Sequence, residues 1–281
     1  MWHPHNVHWK PMNLLAFLIC AAAITCPGLA HGADGEPAFP WPHGARAAVS
    51  LAYDDALDSQ LDNAIPALDH AGLKGSFYLQ LSNPSVGRRM AAWRAAARRG
   101  HELGNHTLFH QCSGALPERA WVGVHRDLDT TSVAQVKDQA LLANSMLQAI
   151  DGRTERTFTA PCGELKAAGQ NYLPALAGVF VAIKAGSGSA VAESMWTLDP
   201  QAVPVLAPVG LSGPQLISIV EQAGAKGTMV NFTFHGIGGD YLTTSNQAHR
   251  ELLAWLAAHR KQYWSATFID IMKHVKSQQR P

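Results

Sequence analysis

Along the chain, short apolar runs alternate with longer stretches whose apolar positions recur every three or four residues. Ala47–Leu51 reads as a buried strand. Asp58–Ala71 follows as a helix, with Leu61, Ile65 and Leu68 on one face and Gly72 suited to its end. Pro66 inside it demands a kink or a later start. The same reasoning predicts a strand at Gly75–Leu81, an Ala/Arg-rich helix at Arg88–Arg99 closed by Gly100, and a short strand at His101–Gly104. Ser132–Ile150 is a long helix capped by Thr131 or Ser132, with Val136, Leu141, Ala143 and Leu147 facing the core. Thr157–Thr159 and Val179–Ile183 are strands, Gly213–Ala223 is helical and Thr228–Phe234 is a strand. Gln247–His259 is a helix with Leu252, Leu253 and Leu256 inward and His249 and His259 on its polar face; Ile269–Val275 closes the domain. Strand–helix alternation of this kind argues for parallel strands with crossover helices. The number of units suits a barrel better than a small open sheet. Without a repeat or low-complexity linker, one domain spans 45–275, between a Gly/Pro-rich lead-in at 34–44 and a tail at 276–281.

Composition narrows the class. With 281 residues, 47% of them hydrophobic, the chain can bury one large core. Its 22 Lys+Arg balance 21 Asp+Glu, so the basic footprint of a nucleic-acid binder is missing. Residues 1–33 read as an export signal: Lys10, the apolar run Leu14–Ile24, the breakers Pro27 and Gly28, then small residues around Ala30 and Ala33. The run is too short for a comfortable span, which leaves no membrane span in the mature chain; an uncleaved anchor is the alternative. Ala23-Ile24-Thr25 before Cys26 makes a poor lipobox. Export, to a periplasm or beyond, implies an oxidising compartment. Cys20 and Cys26 leave with the signal, as do His3, His5 and His8. The remaining pair, Cys112 and Cys162, invites a disulfide across a pocket rim, while two buried free thiols fit the residues equally well.

The chemistry sits at the predicted strand ends. Tyr53-Asp54-Asp55 puts two carboxylates side by side, and His106 and His110 put two imidazoles four residues apart. Two imidazoles and one carboxylate make a three-ligand set with a fourth position for water, the pattern of a catalytic rather than a structural zinc site. The spare carboxylate is then a candidate base. Taken alone, the Asp pair would read as a turn or cap and the His pair as packing residues. Pro161-Cys162 and His235 fall after two further strands, and in a parallel barrel those ends share one face. Gly236, Gly238 and Gly239 follow no phosphate-loop pattern and read as backbone room beside His235.

Tyr-Asp-Asp, Gly-His-Glu-Leu-Gly-Asn-His-Thr-Leu-Phe-His, Phe-Thr-Ala-Pro-Cys-Gly and Phe-Thr-Phe-His-Gly-Ile-Gly together resemble the ordered motifs of the polysaccharide deacetylase family (the NodB-homology domain, carbohydrate esterase family four). The resemblance implies a distorted (β/α) barrel. It implies Asp55, His106 and His110 as metal ligands, Asp54 as the base, His235 as the acid and the Cys162 N–H as an oxyanion donor. One divalent ion is implied, zinc by the His-rich set, with cobalt, manganese or nickel also suited. The implied partner is an acetylated carbohydrate; Tyr241, Pro161 and Trp264 are candidates for lining its site. The sequence departs from the family in two places. Many members carry an Arg two residues before the Pro, pairing with the base; here that position is Thr159, and Arg153, Arg156 or another residue would have to replace it. The Asp/Trp pair that supports the acid is indistinct, with Trp196 and Asp199 nearest. The expectation is an exported, metal-dependent hydrolase that removes acetyl groups from an N- or O-acetylated carbohydrate. Alternatives are a same-fold hydrolase of another amide or ester such as acetylxylan, a metal-independent hydrolase, or a non-catalytic carbohydrate-binding relative.

Overall fold

A computed structural model describes residues 37–279, apart from 188 and 190. The predicted export signal and the cysteines and histidines within it lie outside the described residues. Ten strands occur in chain order: β1 (Ala47–Asp54), β2 (Ser76–Leu79), β3 (Glu102–Asn105), β4 (Phe158–Thr159), β5 (Lys166–Ala167), β6 (Gln170–Asn171), β7 (Ile183–Ser187), β8 (Val203–Val205), β9 (Met229–Phe234) and β10 (Tyr263–Ala266). The helices are α1 (Ile65–Ala71), α2 (Pro84–Arg88), α3 (Met90–Arg98), α4 (Val133–Asp151), α5 (Gly213–Lys226), α6 (Asn246–Ala258) and α7 (Phe268–Gln278). β5 and β6 form a separate antiparallel hairpin. Every ladder of the main sheet is parallel.

β1 is the hub. All its residues are buried, as a parallel strand covered on both faces requires. It pairs β9 along Ala48–Tyr53, β10 along Ala47–Ser50 and β2 along Ala52–Asp54. From β2 the sheet runs through β3, β4 and β7 to β8. Leu206, just past β8, brings the ring back to β9: its N–H donates to Asn231 O at 3.1 Å, and Thr233 N–H donates to Leu206 O at 2.8 Å. The result is the expected distorted (β/α) barrel, in a single domain.

Local chemistry explains the departures from the sequence reading. The predicted helix at 58–71 is continuous but changes pitch. Gln60–Ala64 is a π-helical turn closed by Ile65 N–H to Gln60 O, placed just before Pro66, which has no N–H to give. α4 carries the capping box of Ser132 and Gln135. It buries Val136, Ala140, Ala143, Leu147 and Ile150, a 3.6-residue spacing that turns Leu141 outward, where it is 40% exposed. The strand expected at Val179–Ile183 forms instead at Ile183–Ser187. β8 and β10 had no counterpart in the reading, and the last helix begins at Phe268 and runs on to Gln278. No helix of the described residues is long and apolar enough to cross a membrane.

His249 corrects another expectation. It does not face solvent on α6 but is fully buried, three and four residues before the inward Leu252 and Leu253, and its Nε2 lies 2.7 Å from Tyr53 Oη. Burial, with the nearby charge of Arg250, holds its imidazole down to about 3. Burial likewise holds His101 down to about 4, against the pull of Asp69. His101 Nδ1 accepts from Gly75 N–H at 3.1 Å. Both values lie below the ordinary 6.5, so the unfolded chain takes up protons that the fold refuses. Their stabilisation is complete above about pH 6.5 and is lost as pH falls toward 4, by up to about 1.4 kcal/mol per pH unit for each group. Thermal melting from about pH 7.5 to 4.5 should show this acid loss, and His249→Gln should flatten its slope. A wild-type slope in the variant would exclude His249 as a source.

Candidate active site

The site collects where the parallel strands end. Asp54 is the last residue of β1, and the backbone turns sharply after it: Asp55 has φ 81° and Ala56 φ 59°. Side chains without glycine's freedom sit in that left-handed region at a cost, and the surroundings hold them there. Asp55 N–H donates to Tyr78 O at 3.1 Å, and Asn83 Nδ2 donates to Asp55 O at 2.9 Å. Gln60 Nε2 donates to two backbone oxygens, Asp54 O at 2.5 Å and His235 O at 3.2 Å, so one amide ties the ends of β1 and β9 together. Ser59 and Asn63 brace the same loop through Ile237: its N–H reaches Ser59 Oγ at 3.2 Å, and its carbonyl accepts from Asn63 Nδ2 at 2.7 Å. A Cβ on Gly236 would lie 2.0 Å from Gly239 O, so the turn after His235 requires glycine there.

His106 follows β3, and the loop after it takes positive φ at Thr107 (63°) and His110 (51°). His106 Nδ1 lies 2.9 Å from the carbonyl of Thr159, which can only accept. The proton is therefore on Nδ1, and Nε2 presents its lone pair 3.2 Å from Asp55 Oδ1. His110 repeats the arrangement, with Nε2 3.2 Å from the same oxygen and Nδ1 3.6 Å from Cys112 Sγ. That sulfur is in the disulfide Cys112–Cys162 and has no proton to donate. Three acceptors thus converge, and buried Asp55 Oδ1 has no hydrogen-bond donor. Such a set is stable around a cation, and two imidazoles with one carboxylate fit a divalent ion of the zinc type. The hydroxyl of Tyr241 donates to the other oxygen, Asp55 Oδ2, at 2.8 Å and orients the carboxylate from behind. Burial works against the Asp55 charge, but the closeness of His106, with His110 and His235, holds its carboxyl well below the usual range. Burial also presses on the two imidazoles. His106 is nonetheless raised by Asp54 and Asp55, whereas His110, further opposed by His106, falls to about 4.

Asp54 is buried beside the triad, with Oδ2 3.9 Å from His106 Nε2. Its other oxygen, Oδ1, faces the ammonium of Lys184 at 3.5 Å. Lys184 was missed in the sequence, because the strand carrying it was placed four residues early and ended at Ile183. Burial lowers its ammonium from the ordinary lysine value, and Asp54 opposes that shift. Neither arginine considered as a stand-in reaches the site: Arg156 is locked to Asp151 Oδ2 at 2.7 Å, and Arg153 is exposed. His235 places Nε2 3.8 Å from Asp55 Oδ2. Its buried Nδ1 has no hydrogen-bond partner among the described residues. Trp196 and Asp199 do not support it: the indole donates to Pro37 O and packs on Phe39, and the carboxylate accepts from Gln201 N–H.

These groups line a cavity of about 920 Å³ with Cys162, Thr159, Tyr241, Trp121, Phe109 and Arg126 among its walls. Trp121 and Phe109 are exposed aromatics the sequence reading did not single out. Two proposed lining residues are elsewhere. Pro161 is buried and is not among the residues that line the cavity, although its neighbours Ala160 and Cys162 are. Trp264 lies on β10 beside Ala48, at the opposite end of β1, against Trp41 and His274.

A parallel α/β barrel with a candidate three-ligand cation site and a further carboxylate at its strand ends has the arrangement of a barrel hydrolase. Residues 43–176 match the family model for polysaccharide deacetylase, so this part of the chain is similar to that family. Among solved structures it is similar to a candidate polysaccharide deacetylase from Mycobacterium smegmatis, with 16% identity, TM-score 0.54 and coverage of 90% of this chain and 96% of that one. It is also similar to the peptidoglycan deacetylase PdaC from Bacillus subtilis, with 15% identity, TM-score 0.51 and coverage of 83% and 92%. At this identity the likeness concerns the fold. No curated protein matches the sequence.

The disulfide has a thermodynamic consequence. Cys112 and Cys162 are 50 residues apart, and closing a loop of that length stabilises by about 4 kcal/mol in the chain-entropy model. Replacing both by Ser should lower the denaturant-derived stability by up to about that amount. An unchanged midpoint would show that the bond does not hold the fold.

Proposed function

We propose that this protein is an exported, metal-dependent hydrolase that removes acetyl groups from an N- or O-acetylated carbohydrate. The observation that carries the reading is the meeting of Asp55 Oδ1 with the Nε2 atoms of His106 and His110, both imidazoles fixed from behind, beside a separate buried carboxylate. Asp55, His106 and His110 would hold the ion, which polarises the acetyl carbonyl and the attacking water when bound. Asp54, beside the ligands but not one of them, takes the proton from the water. His235, across the cavity, gives a proton to the departing amine or alcohol. The Cys162 backbone lies on the cavity wall next to Thr159 and Ala160, and its N–H is assigned to the oxyanion of the tetrahedral intermediate. The disulfide holds this loop to the His110 loop, so ligand and oxyanion donor keep their spacing. The exposed faces of Tyr241 and Trp121 suit stacking on a sugar ring. The match of residues 43–176 to the deacetylase family model and an open cavity of this size agree with a carbohydrate substrate. The disulfide and the N-terminal signal pattern support export.

Acetate release from chitin oligosaccharides, peptidoglycan and acetylxylan, measured side by side with metal content, tests the reading. Asp54→Asn should lower turnover by about a hundredfold or more while keeping the ion, because it removes proton transfer alone. His106→Ala and His110→Ala should lose the ion and activity together. Chelation should silence the wild type, and zinc should restore it. Near-wild-type turnover in Asp54→Asn would overturn the base assignment. Absence of acetate release from every substrate would overturn the function.

A further inference from the structure

The position before Pro161 where an arginine would be expected carries Thr159, whose hydroxyl has no charge. The register of the sheet shows what lies beside it. Thr159 of β4 pairs with Lys184 of β7, so the two are direct neighbours across one parallel ladder. Lys184 is 1% exposed, and its ammonium is 3.5 Å from Asp54 Oδ1. A buried ammonium is tolerated only where partners surround it. Below it lies the face of the Tyr78 ring, 4.1 Å from Nζ, on the residue that pairs with Asp54 in β2. Tyr78 is itself fixed. Its register partner is Gly104, where a Cβ would lie 2.4 Å from the ring, and its hydroxyl lies 2.7 Å from Thr157 Oγ1. Thr157 in turn donates to Glu102, a buried carboxylate that also accepts from Ser76 Oγ at 2.6 Å and Ile269 N–H at 3.0 Å. The Tyr78 ring, anchored through Thr157 to Glu102, thus lies on one side of Lys184 and the Asp54 carboxylate on the other.

We propose that Lys184 is the positioning residue for Asp54, a cation moved one strand across the sheet and held from below by Tyr78, Thr157 and Glu102. The proposal rests on the reading of Asp54 as the base. Lys184 does not touch the reacting atoms. It fixes the carboxylate so that one oxygen faces the ammonium and the other faces the metal-ligand side. Removing it leaves Asp54 buried and free to turn, and a misplacement of about 1 Å at a reacting group can lower a rate by about a hundredfold.

The test uses Lys184→Met, the same change combined with Thr159→Arg, and Lys184→Arg. Crystal structures with zinc and kinetics on the best acetylated substrate are compared. In Lys184→Met the Asp54 carboxylate should rotate away while Asp55, His106 and His110 keep the ion. kcat should fall about a hundredfold with KM changed less than about threefold. Adding Thr159→Arg should return the carboxylate to its place and recover at least about tenfold in kcat, because the guanidinium re-enters from the neighbouring strand. The double variant also keeps a buried cation if Lys184→Met alone fails to fold, and Lys184→Arg gives a second folded comparison. An Asp54 carboxylate unmoved in Lys184→Met, or a double variant that folds yet gains nothing over the single one, would overturn the proposal. The carboxylate position is read without turnover. A wild type inactive on every substrate therefore overturns the proposed function, whereas an unmoved carboxylate overturns only the role of Lys184.

Discussion

Two neighbouring carboxylates at the end of a fully buried strand are the constraint to which the rest of this structure responds. Neither Asp54 nor Asp55 has enough water around it to stay charged unaided. Each is answered differently. Asp55 is surrounded by groups that suit a shared cation, with two imidazole lone pairs on one oxygen and a phenol on the other. Asp54 is answered by a lysine from a strand more than a hundred residues away in sequence. The difference in neutralisation suits the two carboxylates to the different roles proposed for them, because a ligand must point at the ion and a base must stay free beside it.

The supporting structure is consistent with that division. Gln60 joins the backbones of Asp54 and His235 through one amide, so the proposed base and acid are spaced by a side chain on the helix between β1 and β2. The disulfide does the same for the His110 and Cys162 loops. Positive φ at Asp55, Ala56, Thr107, His110 and Cys162 gathers where these loops turn into the cavity. Strain is concentrated at the site and is held by the hydrogen bonds around it. His235 is the exception, since no carboxylate supports its Nδ1 among the described residues.

Residues adjacent in the chain were the easiest to interpret. Asp54 and Asp55, or His106 and His110, reach one point because a short loop cannot carry them far apart. Leu141 and His249 were misplaced although the signal was present. Position 141 breaks the 136, 140, 143, 147 spacing of α4, and 249 keeps the 252, 253, 256 spacing of α6. Residue type outweighed period in both readings. Trp264 was misplaced because β10 was not recognised as a strand, so nothing in the pattern gave it a position relative to the barrel.

The sequence by itself determined the strand–helix order, and with it the parallel barrel and the face on which strand-end chemistry collects. It also made Asp54-Asp55 and His106/His110 legible as two local pairs of candidate ligands, whereas the meeting of the two pairs follows from the order of β1, β2 and β3 in the sheet. Only the tertiary structure decided what stands behind Asp54. Lys184 reaches it through the register of β4 against β7 and the pairing of β2 with β1, and register is a property of two strands together. It likewise decided that Cys112 meets Cys162 and that Tyr241 reaches Asp55. A linear pattern records which side chains are available; long-range packing determines which of them meet.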